Sequence, residues 1–361
     1  MILNHRRRSQ SRLDYIDGLR GLACLMVILC HIDYLYPFKI SFGIARFNSN
    51  PLLIGFVGVN LFLVLSGFCL YWPLVRPGRE QRQLGLADYA KRRARRILPP
   101  YYAACVLAAL LAWNTPGILT ALGIHAVLLQ TNVPGYTDNL LGQTWSIVLE
   151  AQCYLLFPLF VQAFKRGNPR LVLLLLAAGN ALYRWAVVHY AGPDFNLVNN
   201  VFGRAFDFAV GMFAAQCVAN WNETERTPLG PLEFLALVAA IPTVCLAVLA
   251  PHDVDRLAPG FDLSWAMAFF ALIVAGSRSF VRRALSVPKL VWMGEISYSV
   301  YLCHAHVLMF TAGVVHFGYW RGPLPAVGAL IIVVLCFAVG YGFFRVFEKP
   351  FLSRASPPLL V

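Results

Sequence analysis

Long uncharged stretches alternate with short polar and basic segments from one end of the chain to the other. The apolar stretches predict spans near residues 18–36, 52–75, 97–113, 144–164, 171–190, 198–219, 232–250, 264–280, 290–313 and 324–347. Each has about the 17 to 25 residues that a helix needs to cross bilayer hydrocarbon. Backbone in lipid must satisfy its own hydrogen bonds, so the expected fold is all-α: a polytopic integral membrane protein of about ten transmembrane helices. The connection at 114–143 holds one more apolar piece, ILTALGIHAVLL. It is too short to span and is expected to lie in the interface or re-enter. Apolar runs are spread evenly, and no polar stretch is long enough for a second domain. Residues 1–361 therefore read as a single membrane domain. No internal repeat is visible, which gives no support to an inverted-repeat transporter.

Composition agrees with this pattern. The chain is 59% hydrophobic and only 13% charged, against about a quarter charged in soluble chains. Its formal net charge of +13 would fit a nucleic-acid partner, but the positions of the charges argue otherwise. With the N-terminus inside, only Lys39, Arg46, Arg256 and Arg321 fall on outer segments, while Arg184 and Arg204 lie within spans. The remaining basic residues are cytoplasmic. That asymmetry predicts both termini in the cytoplasm of a multi-pass protein of the cytoplasmic (inner) membrane, its basic segments facing anionic lipid rather than nucleic acid. The nine cysteines sit in the apolar spans, none at metal-ligand spacing. They read as small apolar fillers, with no disulfide framework and no metal site. The first span is not a cleavable leader, because it lacks a small-residue exit site and carries polar groups such a leader would not need.

Those polar groups are the first candidates for chemistry. Arg20 and His31 lie eleven residues apart in LDYIDGLRGLACLMVILCHIDYLY. On one helix they are roughly 16 Å apart, about half the hydrocarbon thickness. Ionisable groups at that depth usually mark a site or a pathway, here a centre near mid-membrane fed from the cytoplasmic side. His31 is either a histidine satisfied by a neighbouring helix or a general base, a role its near-neutral titration suits. Asp33 is too close in sequence to share its helix face. Glu150, in QTWSIVLEAQCYLLFP, has a depth similar to that of His31. It is either ion-paired with an arginine or placed to meet His31 across a helix interface.

The inner loop ends in DYAKRRARRILPPYY. Its arginines Arg92, Arg93, Arg95 and Arg96 are either a headgroup anchor or an anion site, since guanidinium forks bind phosphate in bidentate fashion. Arg93 and Arg96 share a face if the helix extends back that far, although Pro99 and Pro100 are expected to mark its start. A phosphate-rich acyl donor such as coenzyme A would fit. Gly55, Gly58, Ser66 and Gly67 in the second span provide either close helix packing or a smooth wall for a thin chain. Arg204 and Asp207, three apart, are expected to form a buried ion pair. Glu348 is expected to pair with inner-loop arginines, and His304 and His306, two apart, are not a zinc pair.

Six segments in order, over nearly the whole chain, resemble the acyltransferase-3 family of membrane acyltransferases. They are IDGLRGLA with His31 at R-x10-H spacing, GVNLFLVLSGF, KRRARRILPPYY with its R-x-x-R, TWSIVLE with YLLFP, ISYSVYLCH, and EKP. The resemblance implies a ten-helix enzyme that moves an acyl group, usually acetyl, from cytoplasmic acyl-CoA to a hydroxyl. The acceptor would be a carbohydrate such as a surface polysaccharide or its lipid-linked precursor. It implies Arg20 and His31 as essential residues, Glu150 as an acid of the site, and Arg93 and Arg96, with Arg92 beside them, as donor-binding arginines. Many relatives carry an extracytoplasmic SGNH hydrolase-like domain after the last helix. The chain ends at Val361 without one, so direct delivery, or help from a separate transfer protein, is expected. A macrolide or other lipophilic acceptor, and a transporter or flippase without chemistry, are the competing readings.

Overall fold

The computed structural model describes residues 13–35, 51–77, 85–192, 194–221, 259–277, 280–314 and 324–352, with isolated positions between 234 and 245. Among these residues there are helices and turns and no strand. The helices are α1 (Asp14–Leu35), α2 (Gly58–Val75, entered through a 3-10 turn), α3 (Leu86–Leu111), α4 (Ile118–Ala126) and α5 (Trp145–Arg166). They continue as α6 (Pro169–Ala186), the single turn α7 (Phe195–Val198), α8 (Val201–Asn220), α9 (Pro259–Gly276), α10 (Phe280–Leu285), α11 (Pro288–Glu295), α12 (Ser297–Val314) and α13 (Leu324–Phe343). Six helical stretches are long and apolar enough to cross a membrane, and Gly260–Gly276 is a shorter apolar helix. The protein is thus all-α and polytopic. Of the expected seventh span, 232–250, only scattered helical positions are described, and Lys39, Arg46, Arg256 and Arg321 lie outside the described residues.

Two expectations are corrected. Pro99 and Pro100 do not start the third helix; they lie inside α3, which runs through the basic cluster. A membrane helix tolerates proline when neighbours supply hydrogen bonds, and Tyr298 reaches across to donate its hydroxyl to the Ile97 carbonyl at 3.0 Å. Continuity of α3 is what puts Arg93 and Arg96 on one face. The expected span 290–313 is in turn split at Ile296 into α11 and α12. There α11 is pinned to α1: a Cβ at Gly294 would collide with the Asp17 carbonyl, and one at Gly21 with that of Leu290.

Local sequence explains how the elements begin and pack. Asn168 caps α6, accepting from Arg170 N at 2.9 Å with Pro169 in the first turn. Asn200 does the same for α8, accepting from Phe202 N and Gly203 N. The apolar piece at 118–126 becomes α4, which folds back on the end of α3. There Tyr101 and Tyr102 donate to the carbonyls of His125 and Ala126, each at 3.0 Å. Buried, His125 loses solvation and is held below its ordinary pKa, hence neutral.

The most intimate helix pair is α2 with α8, both largely buried. Gly67 faces the Phe208 carbonyl and Gly211 the Val64 carbonyl, while Gly55 and Gly58 face Met26 and Ala23 of α1. The second-span glycines therefore serve close packing, and Ser66 stands apart from them. Outward, α6 exposes Leu171, Leu174, Leu175 and Leu182, and α13 exposes Leu330, Ile331 and Val334, a surface suited to lipid rather than water. Gly67→Val is expected to cost at least the roughly 1–3 kcal/mol of an overpacked core. A fall in melting temperature of the detergent-solubilised protein would report it; an unchanged temperature would mean the α2–α8 contact is looser than drawn.

Candidate active site

The cavity lined by α1, α2, α3, α5 and α12 is open at its mouth, and its empty space, mouth included, is about 880 Å³. Arg20 enters it from α1, on the helix side away from Gly18 and Gly21, which press against 285–290. Arg93 and Arg96 enter from α3, and Arg92, exposed, is not among the lining residues. Arg96 lies within electrostatic reach of Arg20 and Arg93, and Glu348 is a nearby counter-charge. Glu348 itself is buried and accepts from Ser299 Oγ at 2.5 Å. Arg93 Nε and Ser297 Oγ are buried without a hydrogen-bond partner among the described residues. Three guanidinium groups gathered in one cavity repel one another. An anion placed among them would remove that repulsion through charge-assisted hydrogen bonds.

In the same cavity, Glu150 holds two hydroxyls. Its Oε1 accepts from Ser66 Oγ at 2.5 Å and from the Tyr154 hydroxyl. Tyr154 is one turn along α5 from Glu150 and lies under the Arg93 guanidinium, 5.9 Å from its ring centre. The carboxylate is thus bonded to hydroxyls, and neither an arginine salt bridge nor His31 is among the partners described for it. Tyr301 closes the cavity on the α12 side, donating to the Gln143 carbonyl at 2.7 Å and sharing a 2.6 Å hydrogen bond with Ser146.

His31 lies beyond that wall. It is not among the cavity-lining residues; its ring meets His304 edge to face at 5.0 Å, and His304 in turn packs on Tyr301 at 5.4 Å. His31 Nδ1 is 2.8 Å from the Val27 carbonyl. A carbonyl only accepts, so Nδ1 carries a proton, and in the neutral ring Nε2 carries the lone pair. The same logic applies to His304, whose Nδ1 is 2.6 Å from the Tyr301 carbonyl and whose Nε2 is buried without a hydrogen-bond partner. In its neutral form each ring therefore keeps its basic lone pair on Nε2.

Away from the cavity, the expected Arg204–Asp207 pair is present at 3.0 Å and belongs to a larger buried cluster. Arg184 and Arg204 both form salt bridges with Asp262, and Asn60 donates to the same carboxylate at 2.6 Å. Sequence reading missed Asp262, a lone acid just before an apolar run, and it missed the Ser66–Glu150–Tyr154 arrangement. The i, i+4 spacing of Glu150 and Tyr154 was a usable signal. Nothing in the sequence brings Ser66 to Glu150.

The fold and the cavity define a polytopic helical membrane protein with an arginine-lined chamber inside the bundle. A family described as an acyltransferase domain matches residues 13–344, and the chain belongs to that family. Similar proteins include the peptidoglycan O-acetyltransferase OatA of Listeria monocytogenes, 26% identical over 92% of this chain and 55% of the relative. The O-acetyltransferase OatA of Staphylococcus aureus is 24% identical over 95% and 57%, respectively. A putative peptidoglycan O-acetyltransferase, YrhL of Bacillus subtilis, is 25% identical over 92% and 55%. The chain thus spans little more than half the length of these relatives. No solved structure matches it at a significant level.

Proposed function

We propose that the protein is a membrane O-acetyltransferase that takes an acyl group, acetyl in the first instance, from cytoplasmic acyl-CoA and delivers it to a hydroxyl of a carbohydrate outside the cytoplasmic membrane. The observation that carries this reading is the shared cavity: three guanidinium groups and a hydroxyl-bonded carboxylate line one chamber. Family membership supports acyl transfer, and the relatives named for peptidoglycan O-acetylation favour a cell-wall glycan among carbohydrate acceptors. Arg93 and Arg96 hold the donor's phosphates at the cytoplasmic end. Arg20, deeper, faces the charge that develops on the thioester. Glu150 receives a proton inside the cavity. His31 receives the proton of the acceptor hydroxyl through its bare Nε2. Because Tyr301 and His304 stand between His31 and the cavity, those rings must move aside when the acceptor arrives.

The test is purified protein in liposomes with radiolabelled acetyl-CoA and glycan fragments, reading free CoA and labelled glycan. Enzyme activity gives both, whereas a carrier gives neither and would sink the proposal. In cells, deleting the gene should remove one acetyl mass per modified residue from the wall glycan. Arg93→Lys should fail to restore donor affinity lost in Arg93→Ala, because a point charge lacks the planar fork. Full rescue, read as the KM for acetyl-CoA, would argue against bidentate phosphate binding.

A further inference from the structure

His31 and Glu150 stand on opposite sides of a ring wall, which poses a problem for one-step transfer. On the functional reading above, the donor's acyl carbon enters the cavity that Glu150 lines, while the acceptor's base, His31, is outside the lining and meets it through His304 and Tyr301. The acyl group needs a holder while the wall opens. Ser66 has the geometry of one. It faces the cavity from the middle of α2, its Oγ donates to Glu150 at 2.5 Å, and Arg20, Arg93 and Arg96 line the same chamber. A hydroxyl already directing its proton at a carboxylate keeps its lone pairs available for attack. Helix α2 also holds it in place, because Gly67 beside it and Gly211 opposite lock α2 to α8 with no room for a Cβ. Tyr154 donates to the same oxygen from one turn along α5 and so steadies Glu150.

We propose that Ser66 is the nucleophile of a covalent acyl-enzyme, a step that rests on the functional reading above. Ser66 Oγ attacks the thioester carbonyl and its proton passes to Glu150. The carbon–sulfur bond breaks and CoA leaves as a thiolate, its negative charge met by the cavity arginines, to be protonated in the cytoplasm. Opening of the Tyr301–His304 wall then admits the acceptor alcohol, whose oxygen attacks the acyl-serine as its proton goes to His31. The ester bond to Ser66 breaks, Ser66 Oγ takes back the proton held on Glu150, and His31 releases its own proton on the outer side. No oxidant, metal or further co-reactant is required.

The experiment incubates the full chain in liposomes with radiolabelled acetyl-CoA and no acceptor, quenches in acid and maps the label by peptide mass spectrometry. Label approaching one acetyl per chain on the Ser66 peptide, discharged by added glycan, is expected. Ser66→Ala should lose both label and transfer. Ser66→Cys, which keeps a nucleophile in the same space, should carry the label as a hydroxylamine-sensitive thioester, so a loss in alanine cannot be blamed on misfolding. His31→Ala, blocked only in the second half, should retain label that added glycan no longer removes. Label on Tyr154 or elsewhere, or multiple turnovers by Ser66→Ala, would overturn the inference while leaving acyl transfer standing. Absence of CoA release by wild type even with glycan present would instead bring down the functional reading, and this step with it.

Discussion

Asp262→Ala should yield little folded protein, read as the monodisperse fraction after detergent extraction and as the melting temperature of what survives. Arg184 and Arg204 both rest on this carboxylate, and Arg184 is one of the largest fully buried side chains described. Removing the carboxylate leaves two buried cations facing Asp207 alone among the acids of the cluster. Breaking a buried pair costs about 3–5 kcal/mol because a charge stays behind uncompensated. Total stabilities are roughly 5–15 kcal/mol, so this single change removes a large part of the margin. Asp262→Asn should fall between wild type and alanine: it can still accept from Asn60, but offers the arginines no charge. None of the cluster lines the cavity, so acyl transfer per folded molecule should be nearly preserved. A normal melting temperature for Asp262→Ala would show that the cluster is solvated.

How much of this could be read in advance differs by kind of interaction. Helices spanning lipid are legible because hydrophobic length alone specifies them, and α1, α2, α5, α6 and α8 fall close to their predicted ranges. The arginine pair of the cavity was legible for the same local reason, since Arg93 and Arg96 need only one continuous helix to share a face. Pro99 and Pro100 misled because the rule against interior proline assumes that no neighbour supplies hydrogen bonds, and Tyr298 comes from a distant part of the chain. The break at Ile296 was passed over although Gly294, Glu295 and Ser297 flank it, because the apolar residues 290–293 and 300–303 beyond them read as one span. The position of His31 relative to the cavity depends on Tyr301 and His304, which a depth argument along one helix axis cannot place. Ser66 was read with the glycines around it as a small residue; only the packing of α2 between α5 and α8 distinguishes its hydroxyl from their hydrogen atoms.

Glu150→Gln should separate the chemistry of the cavity from its binding. Glutamine keeps the volume and an oxygen able to accept from Ser66 or Tyr154, so the local packing survives, but it removes the negative charge that makes the group a proton acceptor. Losing general-base catalysis costs about 10²- to 10⁴-fold in turnover. Because Glu150 is not among the guanidinium groups proposed to hold phosphate, the loss should fall on kcat, with the KM for acetyl-CoA close to wild type. Arg93→Ala should show the opposite split, a raised KM with a smaller effect on kcat, the pattern of an interaction made equally in ground and transition states. Single-turnover measurements at saturating donor sharpen the contrast, since slow chemistry brings KM close to the true dissociation constant. An unchanged kcat in Glu150→Gln, or a defect confined to KM, would move the proton-accepting role away from this carboxylate. The hydrogen bond from Ser66 would then serve only to hold α2 against α5.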